Sequence, residues 1–140
     1  MKTGILSIHE PYALSILNGT KQYEYRRKAP RLEGPTRFLI YATTPRQELV
    51  GEMVIDTIVT ATPEQVWRKT GALGGIDRAT FMAYFDGAGE AHALHVASVK
   101  QYERPMALSR MRERMRGFSP PQFFAWLTAT RAAALRRDSA

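Results

Sequence analysis

The chain has 140 residues, with twenty Lys and Arg against thirteen Asp and Glu, for a formal net charge of +7. That length predicts one domain, and 44% hydrophobic residues supply an ordinary core. The absence of cysteine excludes disulfides, zinc ribbons, thiol nucleophiles and iron–sulfur ligation. The longest apolar runs, Phe38–Ala42 and Phe123–Leu127, fall far short of the ~20 residues a membrane span requires. The opening Met1-Lys2-Thr3-Gly4-Ile5 has neither the apolar stretch nor the small-residue cleavage site of a signal peptide. The expectation is a soluble, cytoplasmic protein with no membrane partner.

In chain order, Ile5–Ile8 reads as a short apolar strand. Pro11 opens a helix whose apolar face is Tyr12, Ala13, Ile16 and Leu17. Asn18-Gly19 closes it, glycine being free to take the left-handed cap conformation. Gln22–Lys28 is extended and sends Gln22, Glu24 and Arg26 to one face and Tyr23, Tyr25 and Arg27 to the other. Two prolines and a glycine make Ala29–Pro35 a loop. Arg37–Thr43 comes next as a buried strand, then a turn at Thr44–Glu48, then a long or bent strand over Leu49–Ala61 in which Gly51 marks a bulge or close approach. Thr62-Pro63-Glu64-Gln65 starts a helix, and Asp77 caps a second short one. Strand character returns over Ala91–Tyr102. From Ala107 the reading is helical: Leu108–Met115, a break at Gly117, then a helix from Ser119-Pro120-Pro121 to about Arg137 with Phe123, Leu127 and Ala134 in its stripe. The pattern predicts an α+β class with a small curved sheet or barrel and helices around it. It divides into a barrel domain over residues 1–108 and a basic helical extension over residues 109–140, packed on the same domain.

Charge is unevenly placed: residues 1–37 carry a net +4, residues 38–103 a net −3 and residues 104–137 a net +7. If the basic blocks meet, the positive face attracts phosphodiesters by counterion release. The densest polar cluster is Gly19–Lys28, where Lys21, Glu24 and Arg26 converge on one strand mouth. Two cations and a carboxylate there make a phosphate or oxyanion site, or else a salt-bridge ladder with no further role.

Gly19, Lys21, Glu24 and Arg26, in the slot between a short strand with its helix and the next strand, resemble the GxKxxExR signature of the ASCH domain, a branch of the PUA-like superfamily. Tyr41–Pro45 with Leu49–Glu52 after it resembles the strand–turn–strand of many members, and the helical insert with Trp67 and Tyr84-Phe85 is also similar to theirs. The resemblance covers roughly residues 4–103. It implies a PUA-like β-barrel with a cleft beside the motif, and RNA or a nucleotide as partner ahead of DNA. Lys21 and Glu24 are then the candidate catalytic residues. Ser7, Lys21, Arg26, Arg27, Lys28, Tyr41 and Thr44 are the candidate nucleic-acid-binding residues.

Binding alone is the first expectation. A ribonuclease acting on single-stranded RNA is the alternative, because RNA brings its own 2′-OH nucleophile; Glu24, Tyr41 or His9 could then handle protons. Hydrolysis of acetylated cytidine is a further alternative, although Glu24 stands where that pattern places a threonine. A DNA-binding regulator using the tail as a helix-turn-helix is another. Tyr23, Tyr25 and Tyr41 can either stack bases or fill the core. His92 and His95, three apart on a strand, face opposite ways and do not share a metal. No cofactor is implied; a divalent metal is compatible with the chemistry but has no donor cluster in the sequence.

Overall fold

The computed structural model describes residues 1–140. Its elements are β1 (Thr3–Ile8), α1 (Glu10–Leu17), β2 (Tyr23–Arg26), β3 (Thr36–Ala42), β4 (Glu48–Ala61), α2 (Pro63–Thr70), a 3₁₀ turn (Gly71–Leu73), α3 (Arg78–Tyr84), β5 (Ala91–Ala107), α4 (Leu108–Arg114), β6 (Phe124–Trp126) and α5 (Ala129–Ser139). The strands form one mixed sheet in the order β2-β5-β4-β3-β1-β6, an α+β fold. Only β1 and β3 run parallel; every other pair is antiparallel.

The long strands β4 and β5 curl the sheet into a half-barrel. Their register shifts between Leu49 and Gly51 and on either side of Ile55, and each extra residue sharpens bend and twist. Gly51 is required at the first of these: a Cβ there would stand 2.6 Å from both Leu17 Cδ2 and the Lys100 carbonyl oxygen. The helix starts agree closely with the sequence. Thr62 forms a full capping box with Gln65 at the head of α2, and the Asp77 carboxylate accepts the Thr80 amide at the head of α3.

Both faces of the sheet are covered, which is why β1 and β3 read as continuous apolar runs. On the concave face, Leu6, Ile8, Phe38 and Ile40 pack with Ala13 and Ile16 of α1. On the other face, Ile5, Leu39, Tyr41 and Leu49 pack with Met111 of α4 and Leu135 of α5. A third cluster joins Val66, Phe81 and Phe85 of the helical insert to Tyr25, Ala91 and Ala93. Glu52 is buried beneath α5, where Tyr102 Oη and Arg136 Nε each donate to it at 2.8 Å.

Two expectations change. Strand β5 does not stop at Tyr102; after a bulge Met106 and Ala107 rejoin Leu49 and Glu48. The helix expected from Ser119 to about Arg137 is instead strand β6 followed by α5, which Thr128 caps through the Arg131 amide. Phe124, Ala125 and Trp126 pair with Leu6, Ile5 and Gly4 on the open edge of β1. An apolar stretch that looked helical by composition was drawn into a ladder because β1, the last strand before it in the sheet, had a free edge to satisfy. With a strand between α4 and α5, the tail is not a helix-turn-helix.

Candidate functional site

Glu24 and Arg26 lie two apart on β2, opposite Leu94 and His92 of β5, so both face the concave side. Tyr25 turns the other way, into the helical insert. Lys21 precedes the strand, just after Gly19, whose φ of +87° ends the α1 turn. The amide of Lys21 donates to the Ser15 carbonyl and that of Gln22 to the Leu73 carbonyl. The residue is thus pinned between α1 and the 3₁₀ turn.

The motif side chains are buried: Lys21 is 2% exposed, Glu24 5% and Arg26 9%. Arg26 Nη2 donates to Glu24 Oε2 at 2.8 Å and to the Ser7 carbonyl at 2.7 Å. Lys21 Nζ donates to the Gly74 carbonyl at 2.7 Å and stands 3.9 Å from Glu24 Oε1. It also lies 4.7 Å from the Tyr25 ring centroid and 5.2 Å from that of Tyr12, within reach of a cation–π attraction. Burial pulls the Lys21 pKa below its ordinary value, against the opposing pull of Glu24; Arg26 adds to the lowering. Gly75, with φ +71°, passes so close that a Cβ would meet the Lys21 Cβ at 2.8 Å. One buried donor is left over: Arg26 Nε has no hydrogen-bond acceptor in the chain.

These three groups form the floor of a cavity of about 670 Å³, in the size range of small-ligand sites. His9, Thr44, Tyr84 and Phe123 are on its exposed rim. Ser7 also lines it, but its hydroxyl donates to the Pro121 carbonyl at 2.6 Å. No carboxylate other than Glu24 lines the space. Two cations and one anion leave one positive charge unbalanced in a buried setting, which favours a monoanionic ligand.

Of the sequence-derived candidates, the structure brings together Ser7, Lys21, Glu24, Arg26 and Thr44. Tyr41 is not among them: it is 2% exposed and packs on the opposite face beneath α4 and α5. Its partner in the β1–β3 ladder is Ser7, so its nearness to the site is in the backbone, not the ring. Arg27 and Lys28 are exposed outside the cavity, and Arg27 Nη1 donates to the Tyr84 and Asp86 carbonyls at the end of α3. His95 and His92 take separate partners, Asp56 and Thr60. Residues that sequence reasoning missed are Tyr12, Tyr84, Gln122 and Phe123. The last two reach the rim through the unforeseen β6, so the one signal for them was the short uninterrupted apolar run Phe123–Leu127, which suits a buried strand as well as a helix turn.

The model of the ASCH domain matches residues 6–116. The chain belongs to the ASCH domain family. A curated relative from Zymomonas mobilis, named as an ASCH domain-containing ribonuclease, is 29% identical over 126 residues, 90% of this chain and 84% of its own. The crystal structure of ASCH from Zymomonas mobilis superposes with a TM-score of 0.94 at 27% identity, covering 99% of this chain and 96% of that one. The N-terminal domain of McrB from Staphylothermus marinus shares the fold alone, with a TM-score of 0.66 at 14% identity over 96% of this chain and 93% of its own. The ASCH fold as solved in the Zymomonas protein therefore extends through β6 and α5, past the segment that the family model covers. No helix is long and apolar enough to cross a membrane.

Proposed function

We propose that this ASCH protein binds single-stranded RNA with one phosphodiester on the floor of the Lys21–Glu24–Arg26 cavity and cleaves the chain there. The observation that carries the reading is a cavity whose buried floor brings two cations together with a single carboxylate. A phosphodiester supplies the single negative charge that balances this floor. Support for RNA comes from the family and from the name of the Zymomonas relative.

The chemistry is set by which lone pairs are free. Glu24 Oε2 is committed to Arg26, whereas Oε1 has Lys21 at 3.9 Å, beyond hydrogen-bond length. Oε1 is therefore free to take the proton of the RNA 2′-OH. The 2′-oxygen bonds to phosphorus, the bond from phosphorus to the 5′-oxygen breaks, and Lys21 delivers a proton to that oxygen. Its burial makes this proton easier to give. Arg26 holds the charge of the phosphorane. The products are a 2′,3′-cyclic phosphate and a 5′-hydroxyl end, and the proton returns from Glu24 to Lys21. Amide hydrolysis has less to work with, since Glu24 stands in place of a hydroxyl and the Ser7 hydroxyl is committed to Pro121.

The test is incubation of the purified chain with a uridine-rich single-stranded RNA and with the same sequence as a duplex, in EDTA and in magnesium. Cyclic-phosphate ends from the single strand alone, lost in Lys21→Ala, support the reading. Retention without cleavage reduces it to binding, and no retention removes it.

A further inference from the structure

The cavity floor is ionic, but its rim is aromatic. Phe123 is 45% exposed and Tyr84 41% exposed, and both line the cavity. They come from separate elements: Tyr84 ends α3 and Phe123 immediately precedes β6.

Phe123 differs from the other tail aromatics. Phe124 and Trp126 meet edge to face at 5.5 Å, and Trp126 also lies 5.7 Å from Phe38. Phe124 packs against the core, and Trp126, although 36% exposed, has Phe38 on one side and the Lys2 ammonium over its ring. Phe123, one residue before β6, has no aromatic partner and lines the cavity. Its backbone is nonetheless tightly held: the Phe123 carbonyl accepts the Ser7 amide at 3.1 Å, and the Pro121 carbonyl accepts the Ser7 hydroxyl. Two prolines, Pro120 and Pro121, stiffen the approach. A rigidly mounted apolar ring left in solvent beside an anion-binding floor needs an occupant with a flat apolar face. A nucleobase is such a group, and one nucleotide carries it a few bonds away from its phosphate.

We infer that Phe123, with Tyr84 as a second ring, is the stacking platform for an unpaired nucleobase whose phosphate rests on Lys21 and Arg26. This rests on the reading of the cavity as a phosphodiester site, and it deepens that reading. Stacking admits any base, since each has a π face, so the platform selects single strands and not sequences. Bases within a duplex are already stacked and do not reach it.

A double comparison tests this. A deoxyuridine hexamer and a hexamer of abasic tetrahydrofuran units have the same phosphates, and neither has a 2′-OH to be cleaved. The wild-type chain is expected to bind the base-bearing chain about tenfold more tightly, in line with measured base–aromatic stacking. Phe123→Ala is expected to lose most of this preference, Phe123→Ala with Tyr84→Ala to bind both alike at the abasic affinity, and Phe123→Trp to keep the preference. Because the ring is exposed, its removal leaves no core cavity, and an unchanged melting temperature confirms the fold. A preference undiminished in Phe123→Ala, or one that survives in the double variant, overturns the inference. Equal binding of both probes by the wild type, still lost in Lys21→Ala, overturns the platform and leaves the phosphodiester site standing. Binding of neither probe overturns both.

Discussion

Replacing Glu24 by Gln separates the roles that the geometry gives that residue. The amide keeps an oxygen for Arg26 but removes the charge that balances two buried cations, Lys21 and Arg26. Breaking a buried ion pair costs about 3–5 kcal/mol, and the retained acceptor puts Glu24→Gln at the low end, about 3 kcal/mol. In a domain of this length that lowers the melting temperature by about 10 °C. Part of the strain is relieved by Lys21 itself: Glu24 is what opposes the lowering of its pKa, so without the carboxylate the ammonium gives up its proton more readily. An anion in the cavity replaces the lost charge. Uncleavable RNA at a hundred times its dissociation constant restores about 2.7 kcal/mol. With Oε1 as the proposed base, cleavage is expected to fall about 10²–10⁴-fold. Scanning calorimetry with and without a 2′-deoxy oligonucleotide, together with single-turnover cleavage, reads all three quantities. Cleavage within about twofold of wild type would show that Glu24 is not the base. A melting temperature unmoved by the substitution would show that the carboxylate does not hold the two cations.

The remaining expectations come from other parts of the same structure. Because burial lowers the Lys21 pKa and only its ammonium form attracts phosphate, affinity for an uncleavable oligonucleotide falls as pH rises through that lowered value; fluorescence titration across alkaline pH shows it, and Lys21→Met flattens the profile. On the other face, burial alone would raise the Glu52 pKa, but donation from Arg136 and Tyr102 holds it below the usual carboxylate range. A depressed folded-state value means that the stabilisation is present above the ordinary pKa and is lost as pH falls through the folded one. The melting temperature of the wild type should therefore drop on acidification by a few degrees more than that of Glu52→Gln. Gly74→Ala places a Cβ into the Tyr25 hydroxyl; overpacking of this kind costs about 1–3 kcal/mol. Because the Gly74 carbonyl also holds Lys21, cleavage should fall further than the stability loss explains, as a comparison of kcat with denaturant midpoint would reveal.

Local chemistry made most of the fold legible. The alternation of Gln22–Lys28 placed Glu24 and Arg26 together, and Gly51 announced the bulge, because both depend on neighbours within a few residues. What stayed hidden depended on distant pairing. Phe123–Leu127 has the composition of a buried helix turn, and only the free edge of β1, more than a hundred residues away in sequence, makes it a strand. Tyr41 was misplaced for a related reason. On a strand buried on both faces, alternation does not say which side carries the site, and the far side is decided by α4 and α5. Arg27 and Lys28 looked like an extension of the cluster because they come directly after it in sequence, yet β2 ends at Arg26 and the chain turns away.

The site sits where the half-barrel fails to close. Strand β2 lies at one edge of the sheet order and β1 one place in from the other, with no ladder between them. Arg26 spans this seam by donating from β2 to the Ser7 carbonyl of β1, and the hydroxyl of the same Ser7 holds Pro121 and the approach to β6. A fully closed ladder would have satisfied the edges but left no opening. An open seam bridged by one guanidinium leaves room for a ligand while still tying the two edges together. It also explains why the motif includes an arginine: one planar group donates to Glu24 and to a backbone carbonyl at once, a geometry that the single point charge of a lysine does not provide.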